Sequence, residues 1–282
     1  MTKVVLTVTF CAYQFQKGNL YLDEKVSDVL LIPESHPLFL CTVSDLLCHQ
    51  SGLPAWYDFQ HAHKEHLLEF LLAIPVQASI HETTCYSDVG FLLLGEFLQK
   101  KFSLTMLQML NVLPKETRQC FFAWDQLTPE QKTKTVPTGD SKLRKNNDGI
   151  VFDDNTFFLG GLCSHAGLFG TLKGLTAFGQ LWNLGTGILN KDTILRFSSK
   201  QVAKDQTYHA LGWDMPTQGS TAGQHVSKQA IGHLGYTGTS IWIDQKRNTS
   251  VVLLTNRTYC QTKQPVMKKF RQEFHDLIWS LV

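Results

Sequence analysis

The sequence predicts an α/β domain built on an antiparallel sheet with a helical insertion, not a run of alternating βαβ units. Three observations predict it. Helix-like segments occupy the front and middle of the 282 residues. Strand-like runs separated by turns gather late, at 231–234, 239–244 and 250–255. A final stretch, 265–282, places Phe270, Phe274, Ile278 and Leu281 at helical spacing and predicts a closing helix.

Taken in order, residues 1–16 predict a helix apolar on most sides. Lys17-Gly18-Asn19 ends it, because glycine suits a left-handed C-cap. Thr42 is placed to cap a helix that Ser51-Gly52-Leu53-Pro54 halts. The stretch 62–74 carries Leu67, Leu68, Phe70, Leu71, Leu72 and Ile74 with helical periodicity. Residues 89–102 predict a further helix starting after Tyr86-Ser87-Asp88, with Asp88 as its N-cap. The polar stretch 125–150 predicts a mobile loop, and 175–184 another helix.

Bulk composition excludes several classes. Twenty-six Lys and Arg against 24 Asp and Glu give a net charge of +2, which favours neither nucleic acid nor an anionic membrane. No apolar run is long enough to span a bilayer. Cys11, Cys41, Cys48, Cys85, Cys120, Cys163 and Cys260 are scattered and odd in number, with no Cys-x-x-Cys pair. That pattern predicts a reducing compartment, the cytoplasm, over a disulfide framework. The opening Val4-Val5-Leu6-Thr7-Val8-Thr9-Phe10-Cys11-Ala12 is too short for a leader and has a poor cleavage context at Phe10, so a buried helix is expected there.

Three segments carry chemistry. Lys3 heads the first helix; Tyr86-Ser87-Asp88 opens the run YSDVGFLLLG; and Gly232-His233-Leu234-Gly235-Tyr236-Thr237-Gly238-Thr239 leads into a strand. Together they resemble the three active-site elements of the serine β-lactamases and penicillin-binding-protein-like hydrolases, in the class C β-lactamase and esterase group. Those elements are Ser-x-x-Lys, Tyr-x-Asn or a variant, and Lys-Thr-Gly or His-x-Gly. Leu46-Leu47-Cys48-His49-Gln50-Ser51-Gly52-Leu53-Pro54, Gly160-Gly161-Leu162-Cys163-Ser164-His165-Ala166-Gly167-Leu168-Phe169 and Leu253-Leu254-Thr255-Asn256-Arg257 extend the resemblance over nearly all of the chain, in scaffold roles. His165 is expected to be a hydrogen-bonded structural histidine at the pocket's border.

The resemblance implies a β-lactamase-like α/β fold: an antiparallel sheet flanked by helices, an all-helical subdomain at about 41–205 and a sheet portion at about 206–282. It implies one domain over 1–282 without the family's N-terminal part, including the first strands of the sheet. With Lys3 as the lysine of Ser-x-x-Lys, the serine falls immediately upstream of Met1. No Ser-x-x-Lys, Thr-x-x-Lys or Gly-x-Ser-x-Gly elsewhere supplies a substitute. The expectation is a chain that starts inside a longer protein, with the strand at 250–255 left as an open edge and a charged amino terminus buried in the core.

The same resemblance assigns catalysis to Lys3, Tyr86 and His233, and substrate binding to Asp88, Gly235 and Tyr236. A lysine desolvated on a helix has a lowered pKa and can take the serine's proton, and a phenol beside that cation can shuttle it. His233 would polarise the site, Gly235 would admit the substrate close to the backbone, and the Tyr236 N–H would donate to an oxyanion. Asp88 stands where the family often has asparagine, and Leu234 where a hydroxyl residue is common; both departures favour a small ester or amide over a β-lactam. No cofactor or metal is implied. Two rival readings stand beside this one. His61-Ala62-His63-Lys64-Glu65-His66 matches the His-x-His-x-acid-His pattern of zinc hydrolases, with His61, His63 and His66 as ligands. Loss of the nucleophile also suits a non-catalytic binding protein on the same fold.

Overall fold

The computed structural model describes residues 1–145, 148–184 and 187–282. Its largest sheet is an antiparallel meander in which Ser240–Asp244 lies between Ile231–Leu234 and Thr249–Leu253. Two strand pairs, Phe121–Ala123 with Leu168–Gly170 and Gln201–Val202 with Tyr208–His209, correct the expectation that 41–205 is all-helical. Every residue of the central strand is buried. Side chains alternate across a strand, so Ile241 and Ile243 join the main core while Trp242 packs on the other face with Val251, Ala230 and Trp279. The helix Leu172–Leu184 covers the first face. There Gly179 admits the sheet so closely that a Cβ would stand 2.6 Å from the Ser250 hydroxyl. The helix Gln264–Trp279 covers the second. An α/β architecture with the sheet between helices is what the sequence predicts.

The first helix is buried from Lys3 to Ala12. Its opening turns, Lys3–Val8, are π-helical and pass into an α-helix at Thr9–Gln16. The Thr9 hydroxyl donates to the Val4 carbonyl at 2.7 Å and accepts the Trp182 indole N–H at 3.1 Å, while the Thr7 hydroxyl donates to the Ser164 carbonyl. Hydroxyls that reach carbonyls in this way widen a helical turn. Gly18, at φ 73°, closes the helix. Thr42 caps Val43–Leu47 through a reciprocal box with Asp45.

Four local expectations are corrected. The cap of Asp88–Phe102 is Ser87, whose hydroxyl accepts the Gly90 N–H; Asp88 is the first helical residue and its carboxylate turns to Lys3. The helix expected over 62–74 shrinks to a 3₁₀ turn, Lys64–His66, and Leu67–Leu72. The stretch expected to be loop contains the helix Pro129–Thr133, which Thr128 and Gln131 box; its Asn146 and Asn147 lie outside the described residues. In the closing helix the buried stripe is Met267, Arg271, His275 and Trp279, while Phe270 faces outward and Leu281 lies exposed past the helix end. The buried polar members reach backbone carbonyls: Arg271 Nη2 donates to the Gly235 and Thr239 carbonyls at 2.9 Å, and His275 binds the Thr221 carbonyl. Apolar periodicity alone does not see such bonds.

Thr249–Leu253 pairs with Ser240–Asp244 and with no other strand among the described residues, so its far edge is open. An unpaired edge is an aggregation-prone feature, and Val266, Phe270, Leu277 and Leu281 add exposed apolar side chains elsewhere on the molecule. The isolated 282-residue chain is expected to self-associate on heating and to melt without a sharp transition. Static light scattering recorded through a thermal ramp checks this; a cooperative melt of a monomer would refute it.

Candidate active site

Three distant segments deliver the predicted residues to one place. Lys3 stands on the first turn of the N-terminal helix, only 3% exposed, and its ammonium is bonded to the Asp88 carboxylate. The same Nζ lies 4.6 Å from the centre of the Tyr86 ring and 5.3 Å from that of Phe91. Tyr86 Oη is 3.4 Å from His233 Nε2, so the sheet strand Ile231–Leu234 meets the helical part of the chain through this pair. Lys3, Tyr86, Asp88 and His233 are therefore brought together. Tyr86 is half-exposed, and it presents the cluster to solvent.

Gly235 and Tyr236 follow His233 in the turn to the central strand. A Cβ at Gly235 would lie 2.0 Å from the Thr239 hydroxyl, so any larger residue would force that side chain to turn aside. Tyr236 is exposed, stacked on Phe152 at 5.7 Å, with the Arg257 guanidinium over its ring at 4.3 Å. Arg257 also donates to the Tyr236 carbonyl at 2.7 Å. The Tyr236 side chain is thus held against Phe152 and Arg257.

The electrostatics depart from expectation at Lys3. Burial works to lower its pKa, but the Asp88 carboxylate and the Tyr86 phenol outweigh that and hold it above its ordinary value. A lysine with a depressed pKa is not what the structure contains, because the expectation had no counter-ion in it. Tyr86 is raised by desolvation, against the pull of Lys3. His233 is pushed well below the usual imidazole range by burial, by the amino terminus and by Lys3. The Met1 amino group is itself lowered to about 5 by burial and the Lys3 charge.

Two further histidines line the floor of the cluster, where sequence reasoning assigned only a scaffold role to one and none to the other. His49 packs on Tyr86 at 4.6 Å and on His209 at 4.9 Å between ring centres. Burial and neighbouring positive charge push His49 well down, and burial takes His209 to about 4. His165 behaves as expected of a structural histidine: it is buried and binds Asp153 at 3.0 Å and Thr156 at 3.3 Å. Burial works to raise Asp153, but His165 and the Thr156 donors outweigh it and hold the carboxyl far below its usual range.

One group among the described residues has metal-like spacing, Asp88, Asp153 and His165, with donor atoms within 4.8 Å of one another. Its oxygens are already engaged by Lys3 and by His165, so the donor set favours internal ion pairs over a dication. His61, His63 and His66 are exposed, His66 pairing with Glu69 at 3.3 Å, and they form no such group among the described residues. The zinc reading therefore has no geometric support.

A family model described as Beta-lactamase matches residues 1–275, and the chain belongs to that family of hydrolases. Among curated relatives, an N-acetylmuramyl-L-alanine amidase of Bacillus subtilis is 29% identical over 88% of this chain and 65% of its own length. A putative D-alanyl-D-alanine carboxypeptidase of Escherichia coli is 26% identical over 79% of this chain and 58% of its own. The chain thus spans less than two thirds of these relatives. A class C β-lactamase from Rhodobacter sphaeroides superposes with a TM-score of 0.72 at 17% identity, covering 100% of this chain and 84% of that one. EstCE1, a hydrolase with promiscuous acyltransferase activity, gives 0.71 at 16% identity over 96% and 82%. At such identities these structures speak for the fold alone. No helix among the described residues is long and apolar enough to cross a membrane.

Two outcomes follow. Asp88→Asn leaves the Lys3 ammonium buried without its counter-charge, and we expect the Lys3 pKa to fall and stability to drop by about 3 kcal/mol; side-chain NMR of lysine and urea melts read both. His49, His209 and His233 stay neutral in the folded chain but protonate near about 6.5 when unfolded. Their contribution is complete above that pH and is lost as the pH falls, on the order of 3 kcal/mol for His209 alone by pH 4. Asp214, raised to about 6 by burial, and Glu96, also raised by burial, work the other way but are outnumbered by the three histidines. Urea midpoints at pH 7 and pH 5 should therefore differ, with the lower value at pH 5.

Proposed function

We propose that the chain is the greater part of a serine hydrolase that cleaves an ester or amide through an acyl-enzyme. Its nucleophilic serine would lie just upstream of Met1, one helical turn before Lys3. The observation that carries this is the convergence of Lys3, Tyr86 and His233 from three segments far apart in sequence. Polar groups gathered around one pocket cost desolvation, so a common task explains them better than packing does.

In this reading Tyr86 first gives up its proton to solvent, and the serine oxygen then attacks the carbonyl carbon while its own proton passes to the Tyr86 phenolate. Held in its charged form by Asp88, Lys3 serves as the fixed cation that stabilises a Tyr86 phenolate. His233 polarises the site from the facing strand. The Tyr236 N–H and the serine's own N–H receive the oxyanion. Tyr86 returns the proton to the leaving amine or alcohol, and water then releases the acyl group. Asp88 bounds the substrate site beside Lys3. The names of the two curated relatives, an amidase and a putative carboxypeptidase, favour an amide.

A second reading has one observation behind it. Asp88 pairs with the Lys3 ammonium, and a lysine so neutralised suits a binding protein that has given up proton transfer. A serine-directed fluorophosphonate probe separates the two. The 282-residue chain is expected to remain unlabelled, whereas a form extended upstream with serine in the Ser-x-x-Lys position is expected to be labelled at that serine. In that form Tyr86→Phe should lower kcat by roughly 10²–10⁴-fold. Intact mass of the protein from its native source tells which form the cell makes. An extended, folded form that ignores the probe would sink the hydrolase reading.

A further inference from the structure

The residue that most constrains Tyr86 lies outside the three motif segments. His49 follows the helix Val43–Leu47 with φ 60°, a left-handed conformation uncommon for any residue with a Cβ. Its side chain is 2% exposed. Its Nδ1 accepts the Ser87 N–H at 3.0 Å, and its carbonyl accepts the Cys85 N–H at 2.9 Å. The two backbone donors on either side of Tyr86 thus both end on His49. Ser87, anchored from His49, uses its own hydroxyl to accept the Gly90 N–H and to donate to the Pro54 carbonyl. The imidazole plane lies against the Tyr86 ring, with Phe91 at 5.1 Å beyond it.

The cost of this arrangement is visible. Because Nδ1 accepts, the neutral ring carries its proton on Nε2, and that nitrogen is buried without a partner among the described residues. A left-handed backbone and an unmatched N–H persist where the surroundings impose them, and such places cluster at functional sites.

We propose that His49 is a positioning residue for Tyr86, placing the phenol between the Lys3 ammonium and His233. Its role in turnover rests on the hydrolase reading above; its effect on Tyr86 does not. The test is NMR of ring-labelled tyrosine in the full chain, with the Tyr86 signal assigned by its loss in Tyr86→Phe. His49→Phe keeps an aromatic ring but has no acceptor for Ser87. His49→Asn keeps an acceptor near the Nδ1 position and tolerates positive φ. In His49→Phe the Tyr86 signal is expected to move towards that of free tyrosine and its phenol to titrate lower, whereas His49→Asn should retain the wild-type signal.

An unmoved Tyr86 signal in a folded His49→Phe protein would overturn the proposal. If that variant does not fold, His49→Asn decides alone, since a displaced Tyr86 there also overturns it. In the serine-bearing form, His49→Phe should lower kcat by about 10²-fold with KM little changed. A displaced Tyr86 in a form that is inactive even with His49 intact would refute the hydrolase reading and leave the positioning role standing.

Discussion

The buried contact between Lys3 and Asp88 is the constraint on which the arrangement of the site depends. An ammonium almost out of solvent at the head of a helix is costly unless a carboxylate meets it. Meeting it fixes the start of Asp88–Phe102 against the start of the N-terminal helix, and with it the place of Tyr86 two residues earlier. The ion pair also decides the chemistry open to Lys3. Paired this tightly, the amine stays charged and works through its field on Tyr86 and His233.

Around that pair the molecule keeps its imidazoles neutral. His49 and His233 flank Tyr86, with His209 against His49, in a region where burial and the Lys3 charge both disfavour a second cation. Tyr86 therefore sees a single fixed positive charge, at Lys3, among neutral imidazoles. Desolvation holds the Tyr86 phenol in its protonated form near neutral pH, and the Lys3 charge is what draws it back towards ionisation. The sheet supplies the opposite wall, and its register is set by the alternation that sends Ile241 and Ile243 to one helix and Trp242 to another.

Family, fold class and the gathering of Lys3, Tyr86 and His233 were legible in the sequence, because local motifs with glycine and aromatic landmarks carry them. The three strands appeared within a residue or two, since apolar runs bounded by turns leave few alternatives. Other features were illegible for identifiable reasons. The burial of Arg271 and His275 depends on carbonyls of Gly235, Thr239 and Thr221, distant in sequence. The engagement of Asp88 by Lys3 joins positions 85 apart, and no periodicity reports such a contact.

The sequence by itself determined which residue types stand at the site and which elements bear them, because helix and strand periodicity and turn chemistry act over a few neighbours. Tertiary structure alone decided their protonation and their partners. Those depend on desolvation and on charges brought within a few ångströms by chain crossing: Asp88 to Lys3, His49 to the backbone of Ser87, and His165 to Asp153.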